Sequence, residues 1–169
     1  MMNPGLFSSK EITWETPQDF FDYFDSLYHF DLDTCASKDN AKVARFFSIK
    51  DDGLAQAWGG GGSQKPTIAW MNPPYGKTIK LWIQKAYQEA KCGSATVVSL
   101  IPARTDTAYW HDFVMKSTQI IFVRGRLRFS GSTNSAPFPS AVVIFEASNV
   151  GLVPSIDAIG KNPPLVKQT

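Results

Sequence analysis

The sequence is poor in the residues that build disulfide or metal frameworks. It has two cysteines, Cys35 and Cys92, and two histidines, with no CxxC pair, so neither a disulfide framework nor a zinc site is expected. No apolar run reaches the roughly 18 residues that a membrane-spanning helix needs. The N-terminus also lacks the basic and then apolar pattern of a signal peptide. We therefore expect a cytoplasmic protein that works without a metal.

A phosphate-binding loop of the nucleotide-hydrolase type is missing as well. The glycine run at 59–62 is not followed by Lys and then Ser or Thr, which such a loop requires, so we interpret the run as a flexible loop. The chain is 43% hydrophobic and 19% charged, which is ordinary for a globular protein. Its 169 residues are enough for one domain with a real core. We predict a single domain over 1–169.

Charge is unevenly distributed along the chain. Residues 1–60 carry five basic and ten acidic residues, a net −5, whereas residues 61–169 carry twelve and five, a net +7. In the second part, Arg124, Arg126 and Arg128 alternate along an apparent strand and would project from one side of it. Such a row could follow the phosphates of a nucleic acid, or it could be an ordinary solvated strand face.

The first half of the chain contains one clear helix. It is predicted from Pro17 to about Tyr28, because Thr16 can act as its N-cap and proline is favoured at the first helical position. The apolar residues expected on its buried face are Phe20, Phe24 and Leu27. A short strand, FDLDTCA, should follow, since its apolar residues alternate with Asp31 and Asp33.

The second half alternates between strands and helices. The predicted strands are TIAWM, SATVVSLIP, QIIFVRGRLRF and SAVVIF. An amphipathic helix is predicted over 78–91, with Ile79, Trp82, Ile83, Ala86 and Ala90 facing inward, and a second helix over about 106–115. This order predicts a three-layer α/β domain with ligands at the carboxyl ends of its strands and a C-terminal antiparallel β-hairpin. The core should span about 10–146, with a loosely ordered tail at 147–169.

The tetrapeptide Asn72-Pro73-Pro74-Tyr75 stands where strand TIAWM ends. The two prolines keep the backbone extended and remove two donors, which leaves carbonyls and the Asn72 amide oxygen free to accept hydrogen bonds. Acceptors held out of the plane of an aromatic amine would favour a pyramidal nitrogen that can attack a methyl donor. Tyr75 offers a flat face on which a base can stack. The alternative is a proline-rich turn with a structural role alone.

Several further segments agree with this motif, and together they resemble the phage-encoded Dam-type N-6-adenine DNA methyltransferases over about residues 10–146. The matching segments are WETPQDFF, LDTCA, DDGLAQAW, WMNPPYG, LIPARTDTAYWHDFV, RGRLRF and APFPSAVVIF. The resemblance implies a Rossmann-like domain that binds S-adenosylmethionine and methylates the 6-amino group of a flipped adenine in DNA. It also implies a phage or prophage gene acting in a bacterial cytoplasm.

The resemblance implies cofactor-binding roles for residues in three segments. Residues at the N-terminal motif would border the methionine part of the cofactor, and residues at the end of the first strand would approach its amino group and backbone. Asp52 would bind the amino group of the cofactor adenine. Asp39 is our candidate for the ribose, although it also suits a turn. The full set is Trp14, Thr16, Pro17, Asp33, Cys35, Ala36, Asp39 and Asp52.

DNA contacts are expected from Arg104 and the arginine row, and Phe138 could lie over the target base opposite Tyr75. The chain departs from larger methyltransferases in lacking a glycine-rich DxFxGxG loop after the first strand, so the role of Asp33 depends on its position and on weak similarity to the family's motif. Three alternatives remain: methylation of RNA, methylation of a protein glutamine amide, and an inactive nucleic-acid-binding module. The recognition sequence and the oligomeric state cannot be read from the sequence.

Overall fold

A computed structural model of the chain describes residues 14–60 and 65–164. Within them, the backbone forms one six-stranded sheet with helices packed against it. The strands are β1 Leu32–Asp33, β2 Thr67–Met71, β3 Ala95–Pro102, β4 Gln119–Arg124, β5 Ser140–Phe145 and β6 Ser155–Gly160. The helices are α1 Gln18–Tyr28, α2 Ile79–Lys91 and α3 Ala108–Asp112, and α3 is followed by a 3-10 turn at Val114–Lys116. The predicted α/β class is confirmed.

The strand order is β1-β2-β3-β5-β4-β6. Only β5 runs against its neighbours: it pairs antiparallel with both β3 and β4, and the other pairs are parallel. β3 is buried along its whole length, as its uninterrupted apolar sequence requires of a central strand. The carboxyl ends of β1, β2 and β3 therefore meet at one edge.

Two apolar clusters lie on opposite faces of the sheet. Along β2, Ala69 and Met71 belong to one cluster and Trp70 to the other, as the alternation of a strand dictates. The first cluster includes the inward side of α2, where all five predicted residues are buried: Ile79, Trp82, Ile83, Ala86 and Ala90. The second includes Phe20, Phe21 and Phe24 of α1.

The structure corrects the prediction for Leu27, which is 53% exposed. It lies in the last turn of α1, after which the chain reverses at His29, whose φ is 55°. Phe30 then packs on Phe21 and Trp70, with ring centroids 5.5 and 5.4 Å away. The space expected for Leu27 is therefore filled by the residue after the reversal.

Thr16 does not cap α1. The helix begins at Gln18 with Pro17 at the N-cap position, and no side chain caps its amides. The hydroxyl of Thr16 instead accepts a hydrogen bond from Asn72, at 3.0 Å. A long-range partner therefore replaces the local cap.

Two elements near the C-terminus also differ from the sequence expectation. The strand that carries the arginine row ends at Arg124, because Gly125 has a φ of 86° and turns the chain. The segment expected to be a loosely ordered tail contains β6, which pairs with β4 over six residues, so that expectation is wrong for Ser155–Gly160. The antiparallel β4 and β5 are thus not the last strands. Residues 61–62 of the glycine run and 165–169 of the tail lie outside the described residues.

Candidate active site

The segment Asn72-Pro73-Pro74-Tyr75 connects the carboxyl end of β2 to the turn before α2. Beside it lies the end of β1, since Asp33 is paired with Trp70 in the parallel register. Pro73 is buried and Pro74 is exposed. The motif therefore lies at the edge where the strand ends meet, which is where open α/β sheets bind ligands.

The side chain of Asn72 is held by both hydrogens of its amide. Its Nδ2 donates to the backbone carbonyl of Trp14 and to Oγ1 of Thr16, at 2.5 and 3.0 Å. A carbonyl can only accept, so the amide nitrogen must face Trp14 and the amide oxygen must face away from it. That oxygen, Oδ1, is buried and has no hydrogen-bond partner among the described residues. Buried acceptors are normally satisfied, so Asn72 presents an open acceptor in a fixed orientation.

The N-terminal segment that orients Asn72 is itself held in place. Glu15 and Ser130 form an antiparallel bridge, in which the amide of Ser130 donates to the carbonyl of Glu15 at 2.8 Å. Thr16 is buried, with 2% exposure. The direction in which the Asn72 amide oxygen points thus depends on the segments around Thr16 and Ser130, which are both distant from Asn72 in sequence.

Four aromatic rings form a cluster beside this amide: Trp14, Tyr75, Phe129 and Phe138. The ring centroids of Tyr75 and Phe138 are 5.5 Å apart, and those of Trp14 and Phe138 are 5.0 Å apart, both edge to face. The hydroxyl of Tyr75 donates to the carbonyl of Leu100 at 3.0 Å. Burial raises the pKa of Tyr75 well above its ordinary value. Tyr75 is therefore a fixed, neutral phenol.

Asp33 is buried at the end of β1, with 3% exposure. Its carboxylate accepts the backbone N–H groups of Cys35 and Lys42, at 3.4 and 3.1 Å. Burial raises the pKa of Asp33, and the bond from Lys42 opposes that change. The side chain of Lys42 extends to Gln18 at the start of α1, 3.1 Å away. The carboxylate thus fixes the loop after β1.

Cys35 and Ala36 follow this carboxylate and contact neighbouring backbone. The thiol of Cys35 donates to the carbonyl of Asn72, with sulfur and oxygen 3.1 Å apart, so the ends of β1 and β2 are joined. Burial raises the pKa of Cys35, which keeps it a thiol. The amide of Ala36 donates to the carbonyl of Phe47 at 3.0 Å.

Asp39 and Asp52 are exposed, and neither carboxylate has a hydrogen-bond partner in the described part of the chain. Asp52 has a φ of 51°. It precedes Gly53, where an added Cβ would lie 2.4 Å from the carbonyl of Thr34. Gly53 therefore anchors its loop against the end of β1. The structure brings neither carboxylate into contact with Asn72.

The four predicted DNA-contacting arginines are exposed, and none forms an ion pair within 14–60 and 65–164: Arg104, Arg124, Arg126 and Arg128. Beyond the end of β4, exposed and buried side chains continue to alternate. Leu127 and Phe129 are buried, so Arg126 and Arg128 lie on the opposite, exposed side of the chain. With Pro17 they line a cavity of about 290 Å³. Arg104 lies apart from them, in the loop after β3.

Sequence reasoning missed two features of this site. One is Phe129, whose burial could have been inferred from its alternation with the arginines. The other is the bond between Asn72 and residues 56 and 58 positions earlier, for which the sequence carries no signal. Among the described residues, no cluster of three His, Cys, Asp or Glu could hold a metal, and no helix is long and apolar enough to cross a membrane.

Comparison with known proteins identifies relatives of the chain. A family model described as DNA N-6-adenine-methyltransferase (Dam) matches residues 6–150. A DNA N-6-adenine-methyltransferase of Haemophilus phage HP1 is 29% identical over 147 residues, which cover 82% of this chain and 80% of that protein. One of Escherichia phage T1 is 28% identical over 115 residues, covering 68% and 45%. The putative methyltransferase YfdM of Escherichia coli K12 is 35% identical over 78 residues, covering 44% and 86%.

Proposed function

The chain belongs to the DNA N-6-adenine-methyltransferase (Dam) family, and from that premise we propose that it methylates the 6-amino group of a DNA adenine held by Asn72. The enzyme is an adenine-specific DNA methyltransferase, as its phage relatives are named. In a duplex the amine lies within the base stack, so the target must first be flipped out, which costs a few kcal/mol.

One observation carries the proposed mechanism: the buried and unpartnered Oδ1 of Asn72. The 6-amino group of adenine is a donor of two hydrogens, and its lone pair is delocalised into the ring. Oδ1 accepts one amino hydrogen from outside the ring plane, and the carbonyl of Pro73 accepts the other. These bonds favour a pyramidal nitrogen with a localised lone pair. Because Trp14 and Thr16 already fix the amide, little reorganisation is needed when the base arrives.

The aromatic cluster supplies the platform for the base. Tyr75 stacks on the flipped adenine, a contact worth about 1–3 kcal/mol in single-strand binders. Phe138 meets Tyr75 edge to face, 5.5 Å away, so it borders the base on the same side as Tyr75 and does not lie opposite it, as the sequence had suggested. The hydrogen bond from the Tyr75 hydroxyl to the carbonyl of Leu100 holds the ring in place when the base binds. Catalysis then depends mainly on orientation.

The residues at the end of β1 fit a nucleoside cofactor, which we take to be S-adenosylmethionine in a Rossmann-like domain. When bound, this cofactor supplies an activated, electrophilic methyl group. The exposed and unpartnered carboxylates of Asp39 and Asp52 would accept from its ribose and its adenine. Asp33 has a buried carboxylate with two bonds to its own loop, so it would act on the cofactor by shaping the backbone of Cys35 and Ala36.

DNA would be held by its phosphates through Arg124, Arg126, Arg128 and Arg104, which are exposed and without ion-pair partners among the described residues. Such contacts position the duplex without reading its sequence. Since the named relatives in HP1 and T1 are phage proteins, we place the activity in the cytoplasm of a bacterial host.

The test is the variant Asn72→Ala. We expect methyl transfer to DNA to be abolished while cofactor affinity stays within about threefold, because the variant removes the acceptor for the substrate amine and leaves in place the carboxylates proposed to bind the cofactor. The readouts are labelled methyl incorporated into duplex DNA, with RNA as a parallel substrate, and calorimetric titration with S-adenosylmethionine. Asn149→Ala is the control: Asn149 binds Glu146 near the start of β6, at the opposite end of the sheet. Full activity of Asn72→Ala would overturn the mechanism.

A further inference from the structure

A cavity beside the aromatic cluster carries an excess of positive charge. Its volume is about 290 Å³, and its charged lining residues are Arg126, Arg128, Lys161 and Asp19. None of these side chains has an ion-pair partner in the part of the chain that the structure describes. Three unneutralised cations facing one carboxylate make the cavity a site for an anion.

Lys161 is held at the cavity by the strand that sequence reasoning assigned to a loose tail. Its backbone N–H donates to the carbonyl of Arg124 at 3.1 Å. Its side chain crosses Gly125, where an added Cβ would lie 3.2 Å from Cδ of the lysine. The end of β6 and the turn at Gly125 therefore bring Lys161 beside Arg126 and Arg128.

The start of α1 forms another wall of the cavity. Pro17 caps the helix without a side-chain hydrogen bond, so the amides of Gln18 and Asp19 lack intrahelical partners, as at any helix N-terminus. The macrodipole adds partial positive charge there. Asp19, one of whose oxygens accepts the N–H of Phe20 at 2.9 Å, is one carboxylate against three cationic side chains, so it offsets only part of the positive charge.

The cavity adjoins the acceptor of the target amine. Pro17 lines it, and the preceding residue, Thr16, binds the amide of Asn72 at 3.0 Å. The segment after Leu127 leads to the aromatic cluster through Phe129, and Ala136 donates back to Leu127 at 2.8 Å. A single nucleotide whose base is held at Asn72 therefore has its backbone close to this cavity.

We propose that the cavity binds one phosphodiester group of the strand that carries the flipped adenine, with Arg126, Arg128 and Lys161 sharing that phosphate. This proposal rests on the proposed function and makes its DNA contacts more specific. It adds Lys161 to the arginines, and it assigns Arg126 and Arg128, but not Arg124, to the cavity. It also sets the number of phosphates bound there at one. A shared phosphate fixes the strand next to the flipped base and gives no sequence information.

The test is the salt dependence of binding to a short duplex, measured by fluorescence anisotropy. Each phosphate contact contributes about 0.9 to the slope of log K against log salt. If the phosphate is shared, the triple variant Arg126→Ala, Arg128→Ala, Lys161→Ala lowers the slope by about one in total. A fall of about two or three would mean separate phosphates, and an unchanged slope would mean that the cavity does not touch DNA; either outcome overturns the proposal.

Two further variants separate this effect from misfolding and from cofactor binding. Asp19→Asn keeps the acceptor for Phe20 but removes the charge, so we expect binding that is tighter by roughly two- to fivefold. Lys116→Ala, on an exposed lysine before β4, should change nothing. A loss of S-adenosylmethionine affinity with an unchanged slope would assign the cavity to the cofactor instead. Because these assays need no turnover, their result remains interpretable even if full activity of Asn72→Ala overturns the proposed mechanism.

Discussion

At the scale of single residues, the orientation of Asn72 is the feature on which the proposed chemistry depends. An asparagine amide has a donor end and an acceptor end, and only the acceptor end can hold an amino group. The carbonyl of Trp14 fixes which end is which, and Thr16 takes the second amide hydrogen. The sequence indicated the tetrapeptide and its acceptor role. It could not indicate the residues that orient the amide, because they lie in a segment 56 and 58 residues away.

The variant Thr16→Val tests this orienting role. Valine has nearly the same shape but no acceptor, so one hydrogen of Asn72 loses its partner, a change of about 0.5–1.5 kcal/mol. We expect kcat to fall roughly two- to tenfold with the cofactor Kd unchanged. Thr133→Val, on an exposed loop threonine, is the matched control. If the cofactor affinity falls and kcat does not, Thr16 serves the cofactor, as the family resemblance implies.

At the scale of elements, one aspartate at the end of β1 and another in the connection after it lie in contrasting settings. Asp33 is buried and binds the amides of Cys35 and Lys42, whereas Asp52 is exposed and its carboxylate has no partner among the described residues. The family resemblance assigned both to the cofactor, Asp33 near its amino group and Asp52 at its adenine, because burial cannot be read from one residue. The same limit applies to β4: the apolar alternation continues past Gly125, but the glycine's positive φ ends the strand.

We expect Asp33→Ala and Asp52→Ala to differ in stability and to agree in cofactor binding. Asp33→Ala leaves two loop amides without their acceptor, so the free energy of unfolding should fall by about 1–3 kcal/mol. Asp52→Ala should lower that free energy by less, about 0.5–1 kcal/mol, because it breaks no hydrogen bond within the described residues and alanine tolerates the φ of 51° less well than aspartate. Both should weaken S-adenosylmethionine binding, one through the loop and one directly. Denaturant unfolding and calorimetry measure the two effects, and unchanged affinity in both variants would show that the cofactor lies elsewhere.

At the scale of the whole molecule, the predictable part of the fold is the part driven by apolar burial. The strands β2, β3 and β5 and the inward face of α2 have apolar patterns that leave few other choices. The position of β5 between β3 and β4 is a matter of chain topology, which periodicity does not encode. β6 escaped prediction because most of its residues are exposed and its backbone hydrogen bonds to β4 hold it. The order of strands and helices along the sequence also predicted the edge of the sheet at which the candidate site lies. It did not predict the contacts between the residues of the site.

The described part of the chain offers few segments that could read DNA sequence. Base readout needs several side chains that reach the edges of the bases in a groove. Within residues 65–164, the longest segment without helix or strand is the connection from Gly125 to Pro139, and it already supplies the cavity arginines and Phe138. No separate recognition unit is present between 65 and 164. Affinity must then come mainly from phosphates, which do not encode sequence.

We therefore predict a short or degenerate recognition sequence and binding that weakens strongly with salt. Methylation mapped across genomic DNA from cells expressing the chain gives the sequence context, and a catalytically inactive Asn72→Ala preparation gives the salt dependence without turnover. A single site of about six or more fixed bases would contradict the prediction, because reading it requires more groove contacts than one such connection can supply. Two copies of the chain acting together would double the reading surface. Sedimentation of the DNA complex separates these cases: a monomer with a long fixed site refutes the argument, whereas a dimer with a symmetric site shows that each copy reads only a short half.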